Sequence, residues 1–391
     1  MELPVVNTHA TQAPRNSVWV PVSGLTIFAI ASGYLMSLLP LTLESHQLPT
    51  NAASWLASVY YLGLLFGAML IEPVINKIGH RLSFVSFITV LTVSVALMMV
   101  NHTLTSWLLS RFVAGVAVAG VFVVIESWLL IGDSKEERAK NLGLYMTSLY
   151  GGTTLGQFGI GLIGTTGALP FIVIICLLAM ATLPAMAGKG AQPKVEHHVS
   201  LSLRQILGLS KPAMVGCMVS GVVMGSIYGL LPLALQGNTT NDDRIGVLMA
   251  VTVLGGMVIQ PIIGKVSCRI SKSVLLALMS LLGVFAMGIY LIDQSYSIQI
   301  VSLALLGMSA FALYPIAITL ACDGLASASI VSATQVMLFC YSVGSALGPL
   351  AANRFMESQY GLMGFFFAVL LSTSVYMLIA SLRTKSTVVA Q

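Results

Sequence analysis

Apolar residues run along this chain in long blocks, each about the length of a bilayer crossing, separated by short polar stretches. A helix rising about 1.5 Å per residue needs about twenty predominantly apolar residues to cross the hydrocarbon of a membrane. Such blocks fall near residues 18–43, 52–75, 82–101, 105–131, 142–164 and 168–187. A second series falls near 212–235, 244–264, 273–292, 298–321, 330–352 and 361–382. The pattern predicts an all-α integral membrane protein of about twelve transmembrane helices. The longest internal polar stretch runs from Gly188 to Lys211. It divides the chain into an N-terminal six-helix bundle (1–187), a central linker (188–211) and a C-terminal six-helix bundle (212–391). An even number of helices in each half gives both halves the same orientation.

Composition agrees with lipid as the main solvent. Hydrophobic residues make up 57% of 391 positions and charged residues 8%, against about a quarter charged in a soluble domain. The polar segment before Trp19 reads as a short tail ahead of the first helix, because the apolar run behind it is too long for a cleaved signal peptide.

The few charges that remain are arranged by side. With the N-terminus placed in the cytoplasm, all but three of the 18 Lys and Arg residues fall inside, in the linker and in the loops that hold Lys77, Arg81, Lys135, Arg138, Lys140, Lys265, Arg269 and Lys272. Arg244 and Arg354 fall outside, and Arg111 lies within a helix. That bias fixes the expected orientation, with both termini cytoplasmic. It also accounts for the net charge of +5 without a nucleic-acid partner. The five cysteines show no paired spacing and sit mostly in apolar runs, which argues against disulfides and against a metal site.

The two halves repeat. One shift of the sequence carries Gly33 onto Gly225, the run Leu38 to Leu43 onto Leu230 to Leu235, Asn76-Lys77-Ile78 onto Cys268-Arg269-Ile270, Gly115 onto Gly307, and Gly152 and Gly156 onto Gly344 and Gly348. Leucine matches are cheap in an apolar chain, but a single offset recurring in separate helices indicates a duplicated six-helix unit. Parallel repeats of this kind are related by a pseudo-two-fold axis along the membrane normal. Rocking one against the other can open a midplane cavity to alternate sides.

Twelve helices as six plus six, with a central linker and this repeat, resemble the major facilitator superfamily over nearly the whole chain. The loop from Glu72 to Arg81 is similar to the superfamily's signature loop, keeping Lys77, Gly79 and Arg81, with Glu72 at the usual glycine and Asn76 at the usual aspartate. A second degenerate copy, Gly264 to Lys272, keeps Gly264, Arg269 and Lys272. The resemblance implies a gating role for these loops. Arg111-Phe112-Val113-Ala114-Gly115 resembles the arginine motif of proton-coupled members. The stretch from Gly152 to Gln157 resembles the glycine-proline motif of drug/proton antiporters, with Gln157 in place of the proline. The segments 228–233, Leu313-Tyr314-Pro315 and Ser342 to Pro349 look closest to the YcaD-like group of bacterial transporters. An inner-membrane carrier is implied.

Physical reasoning selects the same residues. An arginine within the span costs about 2.5–3.5 kcal/mol even on the mildest scale, so Arg111 must face a cavity, a partner or the interface. Glu126 follows fifteen residues later, about 22 Å along the axis at 1.5 Å per residue, and projects to a similar side. It is the candidate proton-coupling carboxylate, with Arg111 and Glu72 as its associates. Tyr34, Tyr60, Tyr145, Tyr150, Gln157, Tyr228, Gln260, Tyr314, Gln335 and Tyr341 are the polar and aromatic candidates for a cavity lining. The expected activity is proton-driven export of small amphipathic or cationic organic compounds. The alternative is a carrier of a metabolite such as a sugar, a carboxylate or a lysolipid. The chain carries no phosphate-binding Gly-rich loop followed by Lys-Ser or Lys-Thr, and so no sign of ATP-driven transport. A membrane enzyme would be expected to cluster histidines or carboxylates at one face, and a sensor to carry a soluble output domain; neither pattern is visible in the sequence. No cofactor is expected, and a monomer suffices because two halves already enclose a site.

Overall fold

The computed structural model describes residues 18–130, 135–187, 210–237, 241–267, 269–323 and 327–389. The helices in chain order are α1 (Trp19–Thr42), α2 (Ala52–Val100), α3 (Leu104–Leu130), α4 (Lys135–Gln157), α5 (Gly159–Ile163), α6 (Leu169–Ala187), α7 (Lys211–Gln236), α8 (Asp242–Val266), α9 (Lys272–Ile292), α10 (Tyr296–Cys322), α11 (Ser327–Asn353) and α12 (Gly361–Val389). Most of the linker expected at 188–211, namely 188–209, lies outside the described residues, as does the side chain of Glu72.

Helix α2 contains two crossings. It turns back at Gly79, whose φ of 78° and ψ of 166° belong to no helix. Only glycine takes that backbone without steric cost, so the loop expected between the second and third spans is compressed to one hinge. At the other end of the bundle α4 yields to the short α5 at Phe158, one span in two pieces. Counting both arms of α2, the described residues make twelve crossings.

Among the described residues, ten helices are long and apolar enough to span a bilayer by composition alone. Helix α4 carries fewer apolar residues than these and packs against α8 of the other bundle. Around the circumference, Leu62, Leu82, Val93, Leu97, Phe285 and Ile292 are exposed, as side chains in contact with acyl chains must be.

The sequence repeat reappears as repeated packing. A Cβ at Gly33 of α1 would overlap the backbone of Thr153 on α4, and one at Gly225 of α7 would overlap Ser345 on α11. Gly156 meets the Ile30 carbonyl as Gly348 meets that of Val222. Gly115 sits against the Tyr60 carbonyl as Gly307 sits against that of Thr252, and Gly63 against Phe112 as Gly255 against Ala304. All these partners obey the one offset found in the sequence. Small residues bring the helix backbones into contact, the means by which helices associate where water supplies no hydrophobic drive. The result is two six-helix bundles related by a pseudo-two-fold axis.

Polar groups set the helix ends. The Ser210 side chain accepts from the Ala213 N–H at the start of α7, with Pro212 in the first turn. The Asn241 side chain does the same for Arg244 on α8, a standard solution for the unsatisfied amides of a first turn.

Candidate functional site

The cleft between the bundles is sealed at the end where α1 finishes and α8 begins. Gly229 of α7 lies against Ala57, so that a Cβ there would come within 2.6 Å of the alanine Cβ. Gly246 of α8 packs on the Gln157 carbonyl, and Gly161 has no room for a side chain beside Asp243. The Thr165 hydroxyl donates to Asp242 Oδ2 at 3.0 Å and joins the two bundles at the rim. Two of the expected cavity residues belong to this seal. Tyr34 is fully buried, and its hydroxyl donates to the Gly164 carbonyl at 2.6 Å. Gln157 accepts from Ser37 at 2.6 Å and donates to the Gly33 carbonyl at 2.9 Å. Both amide atoms are spent on holding α1 to α4, which explains a polar residue in the place of the antiporter motif's proline.

Aromatic rings occupy the middle. Tyr150 of α4 stands edge-on to Phe311 of α10 at 5.3 Å between centroids, and Tyr228 approaches the same ring at 6.4 Å. Tyr314 and Tyr341 lie 4.9 Å apart, and Tyr60 and Tyr61 stand edge-on at 5.3 Å. Tyr150, Tyr228, Tyr314 and Tyr341, four of the sequence candidates, are brought together here. Tyr61 and Phe311 join them. Neither was selected by sequence, because an aromatic residue in an apolar run carries no mark that distinguishes lining from packing.

Beyond the rings the helices diverge. Gly143 and Thr147 on α4 and Gln335 on α11 are exposed, and a Cβ at Gly143 or Gly264 would meet nothing within 4 Å. Glu126 lies on this side. Its side chain is exposed to solvent although protein surrounds it, which places it on the wall of the open cleft. Its Oε1 accepts from the Tyr145 hydroxyl at 2.9 Å, and Tyr314 of the second bundle lies within electrostatic reach.

The neighbouring turn is anchored as well. His80, next to the Gly79 hinge, is buried, with Nε2 at 3.0 Å from the Ser127 hydroxyl. That hydroxyl donates to the Val123 carbonyl at 2.7 Å, so the imidazole N–H is the donor to Ser127. The hinge is thereby tied to the residue beside Glu126. Lys77 and Arg269 are exposed, and Arg81 is half-buried. Lys272 does not reach across the cleft. Its Nζ lies 2.7 Å from Asp323 at the end of α10, within the same bundle.

Arg111 sits at the opposite end of α3 from Glu126, inside the seal. It is 5% exposed, with the guanidinium carbon 4.1 Å from the centroid of the Tyr60 ring. A small cavity beside it is lined by Met36, Leu39, Pro40, Ala57, Tyr228 and Gly229 among others, contributed by both bundles. The two charges of α3 therefore do not share one chamber in this conformation.

Comparison with known proteins agrees with this architecture. The sequence model of the Major Facilitator Superfamily matches residues 22–349. An uncharacterized MFS-type transporter of Enterobacter sp. (strain 638) is 32% identical over 342 residues, covering 86% of this chain and 87% of that one. The uncharacterized MFS-type transporter YcaD of Escherichia coli (strain K12 / DH10B) is 32% identical over 348 residues, covering 87% and 89%. Among solved structures, a mutant of the nucleoside transporter NupG superposes with a TM-score of 0.75 at 12% identity, covering 92% of this chain and 97% of that one. The human organic anion transporter MFSD10 (TETRAN) superposes at 0.64 with 16% identity, covering 93% and 98%. At such identities the structures speak for the fold, while the sequence matches carry the assignment: this multi-pass membrane protein belongs to the major facilitator superfamily.

Proposed function

We infer that the protein is a proton-coupled secondary transporter that exports small amphipathic or cationic organic compounds across the bacterial inner membrane by alternating access. The observation that carries the reading is Glu126, a carboxylate in the open cleft with Tyr145 as its hydrogen-bond donor and no cation among its described partners. Such a group can accept a proton or the positive end of a cargo, and competition between the two is the simplest form of antiport. The rings of Tyr150, Tyr228, Tyr314, Tyr341 and Phe311 supply π faces, which attract cations and accept apolar bodies of varied shape. Enterobacterial relatives and the placement of basic residues favour the inner membrane with both termini cytoplasmic. In that orientation the sealed end is periplasmic and the cleft opens to the cytoplasm, ready to load an export cargo.

In this reading Lys77, Gly79 and Arg81, with Arg269 and Lys272 of the second copy, form the hinges that close the cytoplasmic end. Glu72 is proposed to share the proton-coupling role of Glu126. The test is cargo-dependent proton movement in sealed proteoliposomes with an imposed pH gradient, for wild type and Glu126→Gln, using lipophilic cations and neutral metabolites. Collapse of the gradient by cations in wild type and not in the mutant is the expected result. If the mutant equals wild type, or only neutral metabolites move protons, the reading fails.

A further inference from the structure

The buried guanidinium of Arg111 lies about 22 Å from Glu126 along α3. Several other charges among the described residues have an evident setting. Lys272 has Asp323, Asp242 has Thr165, and Arg244 lies 5.1 Å from the Tyr296 ring at an exposed end. Arg111 is 5% exposed, and among the described residues it makes no ion pair; its Nε lacks a hydrogen-bond partner. The group described against its face is the Tyr60 ring. A cation in a water-poor interior without a counter-charge is strongly disfavoured, and the ring of Tyr60 offsets only part of that.

The cavity beside it has a volume of about 20 Å³. On such a measure one water-sized occupant fits and a second does not. Its wall is made by both bundles, with Ala53, Leu56, Ala57 and Arg111 from the first and Tyr228 and Gly229 from the second. Apart from the arginine and the tyrosine, the lining side chains are apolar, so the guanidinium is the charge that an occupant would meet. A single monoatomic anion would find the charge it needs and would fill the volume.

We propose that Arg111 and this cavity form a halide site, occupied by chloride when the seal is closed, and that the bound anion holds the two bundles together at that end. Because the wall is shared, opening the seal dismantles the site. Chloride therefore favours the conformation described here over the one open on the other side. The site is separate from proton transfer at Glu126, and its test does not depend on transport.

The experiment is thermal unfolding of the purified full-length protein in sodium chloride, bromide, acetate and gluconate at constant ionic strength, with equilibrium binding of ³⁶Cl⁻. Chloride and bromide should raise the unfolding midpoint in a saturable manner relative to gluconate, with about one chloride bound per chain. Arg111→Gln should abolish both effects, and Arg111→Lys should retain a weakened version. Ala53→Val narrows the cavity while leaving the guanidinium in place, and should also weaken chloride binding even if Arg111→Gln does not fold. Equal midpoints in chloride and gluconate, or binding undiminished by these variants, would overturn the proposal. An acetate effect equal to that of chloride would overturn the halide assignment.

Discussion

Arg111 and Glu126 stand on one helix and meet opposite fates. The arginine lies under the seal, with a tyrosine ring against its face and both bundles closed around it. The glutamate lies where the bundles part, its side chain exposed and bonded to the Tyr145 hydroxyl. The difference teaches that α3 is not a polar helix with two equivalent charges. It runs from the closed end of a cleft to the open end, and each charge reports the state of its own end. In the proposed alternating-access cycle the two environments are expected to exchange, the arginine becoming wet as the glutamate becomes enclosed.

The contrast can be broken most severely at the open end. Replacing Glu126 by glutamine keeps shape and removes charge, and is expected to reduce cation-driven proton flux in proteoliposomes to that of protein-free vesicles. Tyr145→Phe leaves the carboxylate but removes its hydrogen bond. A hydrogen bond to a charged group contributes about 1.5–3 kcal/mol, so transport should slow by roughly ten- to a hundredfold, each 1.36 kcal/mol of barrier being a factor of ten. The expression level of Tyr145→Phe should stay that of wild type.

At the closed end the repeat offers a matched pair. Gly33→Val and Gly225→Val force a side chain into equivalent crossings, Gly33 against Thr153 and Gly225 against Ser345. Overpacking of this kind costs about 1–3 kcal/mol, and both variants should lose stability in denaturant or heat by similar amounts. Unequal losses would show that the halves do not carry equal weight. The smallest effect belongs to Lys272→Ala. Its partner Asp323 is more than half exposed, and surface pairs contribute about 0–1 kcal/mol, so the melting midpoint should barely move.

Much of this was legible beforehand because it rests on period and offset. Long apolar blocks mark crossings wherever lipid is the solvent, and one sequence shift located Gly33, Gly115, Gly152 and Gly156 together with their counterparts, which the structure finds at equivalent helix crossings. What could not be read were properties set by side chains from distant helices. Gln157 looked like a lining residue and is instead held by Ser37 and Gly33, from a helix more than a hundred residues earlier. Tyr34 and Tyr228 occupy related helices, yet Tyr34 is bonded to the Gly164 carbonyl at the rim while Tyr228 reaches both the Phe311 ring at the centre and the cavity beside Arg111. Such an assignment depends on which end of the cleft is shut, a property of the conformation and not of any local pattern. His80 escaped notice for a similar reason, since only the fold brings it to Ser127 beside Glu126.

The most direct test of the account is a pair of distances. Spin labels at Leu162 and Arg244 would report the sealed end, and labels at Gly143 and Gly264 the open end, by double electron–electron resonance in lipid nanodiscs. The account predicts opposed changes: when pH or a cationic cargo lengthens the first distance, the second shortens, and Glu126→Gln shifts the balance between the two populations. Two distances that stay fixed, or that lengthen and shorten together regardless of Glu126, would contradict it.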